Sequence, residues 1–241
     1  MANHLAKLLA EFEETSTPAR ARNIIQVTGD EDGEYFAYQD CARLARGVSR
    51  EEASAAVVAG LNRAAVEQCT HFAVHSGVAA WPRGMVAIPA ESGQGKTTLT
   101  ASLVRLGFKY ASDEALVFDA GGKVLPYPKP FALSTWSADL LGFPRNEGEL
   151  LVTAADLGGT VSEGGRLTDL VVSEYGHDDL RLQPLPKSQA VAALIQHSFN
   201  HYKDPERAFR LATDVAREVR VWRLEYDDPL EAAGLLAETL R

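Results

Sequence analysis

The stretch that most constrains this chain is Ala90-Glu91-Ser92-Gly93-Gln94-Gly95-Lys96-Thr97. It fits the phosphate-loop pattern: an alanine or glycine, four free positions, then Gly-Lys-Thr. A continuous apolar run, Met85-Val86-Ala87-Ile88, precedes it. Residues 97–106 follow as an expected helix, closed by Gly107 as a C-terminal glycine closes many helices. Gly93 and Gly95 let the backbone curl until successive N–H groups point at phosphate oxygens. Lys96 supplies charge for the β- and γ-phosphates, and the Thr97 hydroxyl suits Mg2+. Thr98 continues into the helix, whose positive dipole end adds to the site. The plainer reading is a glycine-rich turn without a ligand. Taken alone, the loop means "nucleotide" and does not separate a kinase from an ATPase, a GTPase or a DNA-linked motor.

Composition narrows the classes. With 241 residues the chain can build one well-packed domain, or one domain with a small appendage. Its net charge of −9 and the absence of a basic run argue against nucleic acid as partner. Cys41 and Cys69 are too few for a disulfide framework and lack metal-ligand spacing. The N-terminal run is amphipathic and acidic, unlike a signal peptide. No segment approaches the ~18 consecutive apolar residues of a membrane span. These features set the expectation of a soluble, cytoplasmic protein without a membrane partner.

The chain reads as a mixed sheet covered by helices, an α/β fold. Residues 3–14 form an expected helix and residues 15–22, with Pro18, an expected linker. Residues 24–28 and 35–38 make a hairpin around Asp30-Glu31-Asp32-Gly33. Ser49 and Glu52 have the spacing of a capping box, which opens a helix to about Gln68. Residues 71–80 and 85–88 are strands joined at Trp81-Pro82-Arg83-Gly84. Residues 110–112 and 115–118 are extended, with a turn at Asp119-Ala120-Gly121-Gly122. Residues 133–165 show little periodicity and suggest an ordered substrate loop or a lid. Residues 167–175 form a strand that 180–185 is expected to join across Gly176-His177-Asp178-Asp179. Helices are expected at 187–199, 205–218 and 229–240, with a strand at 219–226. The expected division is an extension over 1–65 packed on a catalytic domain over 66–241.

Several residues around the loop carry candidate chemistry. A hairpin closed by Trp81 and Gly84 sets His75 opposite Ala90, where it could bind phosphate; a histidine satisfied within the sheet is the alternative. Asp113 and Glu114 stand just after a strand that follows the loop's helix. A carboxylate there can hold Mg2+ or accept the proton of an attacking hydroxyl; a solvated turn is the alternative. Lys129, between Pro128 and Pro130, could reach phosphate or an acidic substrate, or be a plain surface lysine. Arg207, with Arg210, could clamp a substrate phosphate, although pairing with Glu206 or Asp214 is the commoner outcome. His197 and His201 have i,i+4 spacing but no evident third metal ligand. Trp136 and Trp222 read as core or lid residues.

Together, His75-Ser76-Gly77-Val78, the loop from Met85 to Thr98, and Tyr110-Ala111-Ser112-Asp113-Glu114 resemble the catalytic domain of HPr kinase/phosphorylase. The chain looks similar to short stand-alone bacterial relatives in peptide-modification clusters, including lasso-peptide kinases. The resemblance extends through Pro126-Tyr127-Pro128-Lys129-Pro130 and His197-Ser198-Phe199-Asn200, about residues 70 to 235. It implies a sheet like that of HPr kinase and phosphoenolpyruvate carboxykinase, with His75 as active-site histidine and Asp113 or Glu114 in the acidic pair that includes the base. Glu114 stands where HPr kinase has aspartate. The family's glycine-rich phosphorylase signature has only a faint echo in Asp156-Leu157-Gly158-Gly159. The family often forms oligomers, so the resemblance allows a homo-oligomer.

The expected function is therefore an ATP- and Mg2+-dependent kinase acting on a hydroxyl, serine in a peptide or small protein. Ser92, Gly93, Gln94, Gly95, Lys96, Thr97 and Thr98 would bind the nucleotide. Thr97 and Glu114 would hold Mg2+, Asp113 would serve as base and His75 would help bind the transferred group. Lys129 and Arg207 are weaker substrate candidates. The competing readings are a nucleotide-binding switch or scaffold with slow ATPase activity, and a kinase of a free small molecule.

Overall fold

The structure, a computed structural model, describes residues 1–10, 25–30, 33–40, 42–91, 93–144 and 148–240. In chain order the elements are α1 (Ala2–Leu8), β1 (Ile25–Gly29), β2 (Tyr35–Gln39), β3 (Ala42–Val48), α2 (Arg50–Gln68), β4 (Phe72–Trp81) and β5 (Gly84–Pro89). There follow α3 (Lys96–Arg105), β6 (Lys109–Ser112), β7 (Ala115–Phe118), β8 (Val124–Leu125), β9 (Phe131–Leu133), α4 (Thr135–Leu140) and β10 (Leu150–Val152). The last elements are β11 (Leu167–Tyr175), β12 (Arg181–Pro184), α5 (Lys187–Gln196), α6 (Pro205–Glu218), β13 (Arg220–Tyr226) and α7 (Pro229–Leu240). The chain divides into two units, Met1–Gln68 with Lys129–Thr153, and Cys69–Pro128 with Ala154–Arg241. The expected split at 65/66 did not include the inserted stretch from Lys129 to Thr153.

In the first unit, β1, β2 and β3 form an antiparallel sheet in that order, so the expected hairpin gains a third strand. The capping box is present. Glu52 N–H donates to Ser49 Oγ at 3.2 Å, and Ser49 N–H donates to a Glu52 carboxylate oxygen at 3.0 Å, satisfying two donors that a helix start leaves open. Residues 133–165, expected as an ordered substrate loop or a lid, contain short regular elements. β9 and β10 pair antiparallel, and between them α4 is capped by Ser134 Oγ, which accepts from Ser137 N–H at 3.2 Å. Trp136 on α4 is exposed. The helix expected over 3–14 is seen over Ala2–Leu8. Residues 11–14, the expected 15–22 linker, the turn residues Glu31 and Asp32, and Cys41 lie outside the described residues.

The second unit is built on an eight-stranded mixed sheet in the order β12-β13-β11-β5-β4-β7-β8, with β6 also on β4. The β5–β11 and β11–β13 pairs are parallel and the others antiparallel. Alternation along the central strands explains why both faces are covered. Val74, Val78, Met85 and Ala87 join one core with Ala190, Leu194, Ala212 and Val215 of α5 and α6. Ala79, Val86 and Ile88 join the other with Leu99, Leu103, Leu236 and Leu240 of α3 and α7. A strand buried on both sides reads as a continuous apolar run, as β5 does.

Two expectations in this unit are corrected. β12 pairs with β13, not with β11, because β11 already has β5 on one edge and β13 on the other. The helix expected to run to residue 199 ends at Gln196, because the next residues turn to pair with β4.

Candidate functional site

The site is organised around the middle of β4. Hairpin pairing runs from Trp81–Gly84 to Ser76–Pro89, so β5 ends one step short of His75 and the chain leaves at Ala90 as the loop that fits the phosphate-loop pattern. Gly93 and Gly95 take positive φ values of 84° and 73°, as the curl requires. A Cβ on Gly95 would come within 2.8 Å of the Tyr226 hydroxyl. Tyr226, fully buried at the end of β13, donates to the Gln94 carbonyl at 3.4 Å and so buttresses the loop from below. Gln94 and Gly93 are exposed, Thr97 is half-exposed, and Thr98 is buried. Ser92 lies outside the described residues.

Lys96 starts α3, whose first backbone N–H groups, like those of any helix, lack intrahelical acceptors. Lys96 itself is buried at 6% exposure. The close approach of α3 to the sheet depends on Gly77. A Cβ there would collide with Thr100 Oγ1 and lie 3.2 Å from Lys96 Cγ. Thr100 is fixed in turn by its bond to the Lys96 carbonyl at 2.8 Å.

On the opposite edge of β4, β6 pairs with Val78–Ala80 and β7 with Phe72–His75. Between them Asp113 and Glu114 interrupt the strand and face Gly77 and Ser76. Ser76 N–H donates to the Glu114 carbonyl at 3.1 Å. Asp113 is 3% exposed, and its Oδ1 accepts from the Tyr110 hydroxyl at 3.0 Å. The Asp113 N–H donates to the same hydroxyl at 3.1 Å, so Tyr110 fixes the residue twice. A Glu114 carboxylate oxygen lies 3.9 Å from His75 Nε2, with both side chains about four-fifths buried. Tyr127 lies near this pair, its N–H bonded to the Ala111 carbonyl at 2.8 Å. Burial, reinforced by the charges of Glu114 and Asp113, pushes its phenol pKa well up, which keeps the hydroxyl protonated and able to donate.

His75, Lys96, Asp113 and Glu114 thus gather at two residues of one strand. The weaker substrate candidates and the remaining expected residues are placed by other elements. Lys129 belongs to the first unit, where it is buried and its Nζ donates to the Pro130 carbonyl at 3.2 Å, so it is not a plain surface lysine. Arg207 is exposed in the first turn of α6, where its N–H donates to the Asp204 cap at 3.1 Å. Arg210 pairs with Glu206 at 2.6 Å. Trp222 is partly buried, and its indole N–H donates to Asp169 at 2.9 Å.

His197 follows α5, and His201 begins a separate short turn, so the two do not share a helix face. Among the described residues, no group of three or more His, Cys, Asp or Glu could hold a metal by itself. The oxygen donors Thr97, Asp113 and Glu114 have the hard-ligand chemistry of Mg2+, which keeps several waters and is completed by substrate phosphates. Sequence reasoning missed the supporting tyrosines Tyr110, Tyr127 and Tyr226. Only Tyr110, three residues before Asp113 on the same strand run, carried any local signal.

Among the described residues no helix is long and apolar enough to cross a membrane. No family model matches this sequence, and no curated protein matches it. Among solved structures, the chain is similar to the HPr(Ser) kinase/phosphatase from Coxiella burnetii, with 12% identity over 70% of this chain and 95% of that one, at a TM-score of 0.32.

Proposed function

We propose that this chain is an ATP-dependent kinase that transfers the γ-phosphoryl group to a hydroxyl, serine in a peptide or small protein such as a lasso-peptide precursor. The observation that carries the reading is the crossing at Gly77: Lys96 of the phosphate loop lies over it, and Asp113 faces it from the neighbouring strand. One carboxylate beside such a loop serves Mg2+ in any nucleotide site; a second, Asp113 beside Glu114, supplies what phosphotransfer adds, a group to orient the attacking hydroxyl and take its proton. The serine acceptor rests on the sequence resemblance alone.

In this mechanism the loop amides and Lys96 hold the β- and γ-phosphates. Thr97 and Glu114 are the residues that would hold Mg2+, which when bound neutralises phosphate charge. Asp113, fixed by Tyr110, orients the acceptor hydroxyl and takes its proton. A bond forms between the acceptor oxygen and the γ-phosphorus, the bond to the β,γ-bridging oxygen breaks, and ADP leaves. His75, beside Glu114, helps bind the group in transit. Positioning and charge neutralisation supply most of the catalysis in such a site.

The test is incubation with γ-labelled ATP, Mg2+ and a panel of serine-containing peptides, small proteins and free small molecules. Stable phosphoester on a peptide or protein serine is the expected result. Label found only as free phosphate would overturn the kinase reading and leave a switch that hydrolyses ATP slowly. Label on a free small molecule would overturn the acceptor assignment alone.

A further inference from the structure

β5 leaves the sheet after Pro89, and the edge of β4 beyond that point would otherwise be bare. A distant segment takes the place. His75 N–H donates to the His197 carbonyl at 2.8 Å, Val74 bridges Ser198 antiparallel, and Phe199 N–H donates to the Ala73 carbonyl at 2.9 Å. This segment runs in the same direction as β5 along the same edge. His197 therefore holds the sheet position that Ala90 would have held had the strand continued, directly across from His75 and next to the root of the phosphate loop.

The segment is pinned by side chains as well. Asn200 Nδ2 donates to the His71 carbonyl at 2.7 Å and the Cys69 carbonyl at 3.3 Å, and its Oδ1 accepts from Ala73 N–H at 3.2 Å. Ser198 Oγ donates to the Ala73 carbonyl at 3.2 Å and accepts from the N–H groups of Asn200 and His201. The backbone under His197 is thus fixed by bonds that do not involve its ring.

The ring itself is half-buried and within electrostatic reach of two loop residues, Lys96 and Glu91. It makes no hydrogen bond or ion pair with any described residue. Burial, with Lys96 adding to it and Glu91 opposing, lowers the imidazole pKa. The ring is therefore neutral near pH 7, with one donor and one acceptor nitrogen. A held, half-buried donor beside the loop is placed to meet an oxygen acceptor on a bound phosphate.

We propose that His197 is a nucleotide-binding residue that donates a hydrogen bond to the terminal phosphate of bound ATP, completing from a distant segment the set begun by the loop and His75. This assignment rests on the phosphate-transfer reading of the same site. A neutral donor discriminates triphosphate from diphosphate without adding a charge that would retain ADP.

The experiment is calorimetric titration of the full chain and of His197→Ala and His197→Leu, neither of which can donate, with Mg·ATP and Mg·ADP, with thermal melts as a folding control. The variants should bind ATP about tenfold more weakly, as loss of one bond to a charged group implies. ADP affinity should stay within about twofold. Unchanged ATP affinity, or equal losses for ATP and ADP, overturns the assignment while leaving the nucleotide reading intact. A wild-type chain that binds neither nucleotide overturns both. If neither variant folds, the His197 ring resonances of the wild-type protein decide. A shift with ATP beyond that with ADP supports the proposal, and identical spectra in the two nucleotides overturn it.

Discussion

The two edges of β4 break at the same level, but they break differently. On one edge the chain repairs its own gap: β6 stops at Ser112, two acidic residues pass, and β7 resumes at Ala115 in the same register. On the other edge β5 stops at Pro89 and does not return, and His197–Asn200 comes from far along the chain to cover the strand. The first break displays Asp113 and Glu114, and the second releases the glycine-rich loop before α3. An interrupted edge frees backbone and side chains from the ladder at a defined height in a rigid sheet, which is what a positioned site needs. The self-repaired edge depends on local sequence, whereas the borrowed edge depends on tertiary bonds.

That difference can be broken on either side. The largest expected effect is chemical: Asp113→Asn should lower phosphoryl transfer by roughly 10²–10⁴-fold with ATP affinity largely intact, checked by single-turnover rates beside equilibrium binding. Near-normal turnover would remove Asp113 from the base role. Next is the crossing between the edges. Gly77→Ala should cost about 3 kcal/mol by denaturant unfolding, because the new methyl collides with Thr100 and crowds Lys96. Adding Thr100→Ala should recover part of that loss, and no recovery would mean the clash lies elsewhere.

The borrowed edge should be weaker. Asn200→Ala removes three bonds at a buried position and should cost about 2 kcal/mol in the same assay. Hydrogen exchange should then rise at Ala73 and His75 but not at Phe118, which belongs to the self-repaired edge. Equal exchange at both would contradict the distinction.

The smallest effect is a pH slope. The folded His197 pKa lies below its ordinary 6.5, mainly through burial, with Lys96 adding and Glu91 opposing. Between those two values the unfolded chain binds the proton and the folded chain does not. Stability should therefore fall as pH drops through that window and be regained above it. His197→Gln should flatten that part of the stability profile.

The loop was legible because its chemistry is local: glycines, lysine and threonine at fixed spacing between a strand and a helix. The β4–β5 register was legible too, because a tight turn at Trp81–Gly84 leaves few alternatives. The capping box at Ser49 and Glu52 formed as its spacing predicts. Residues 133–165 show little periodicity because β9, α4 and β10 are too short to carry a period. The wrong partner for β12 has a similar origin. A hairpin was the nearest-neighbour guess, but β11 had both edges occupied by strands distant in sequence.

Sequence by itself determined the glycine-rich turn between β5 and α3, the hairpin that carries His75 to its root, and the acidic pair beyond the helix. Those features rest on turns, periodicity and residue type, all short-range. Only the tertiary structure decided that Gly77 is the crossing point, that Tyr110 fixes Asp113, and that His197 fills the place β5 vacates. Each of these depends on which distant strand or segment completes a backbone ladder, and a single sequence holds no local signal for that choice.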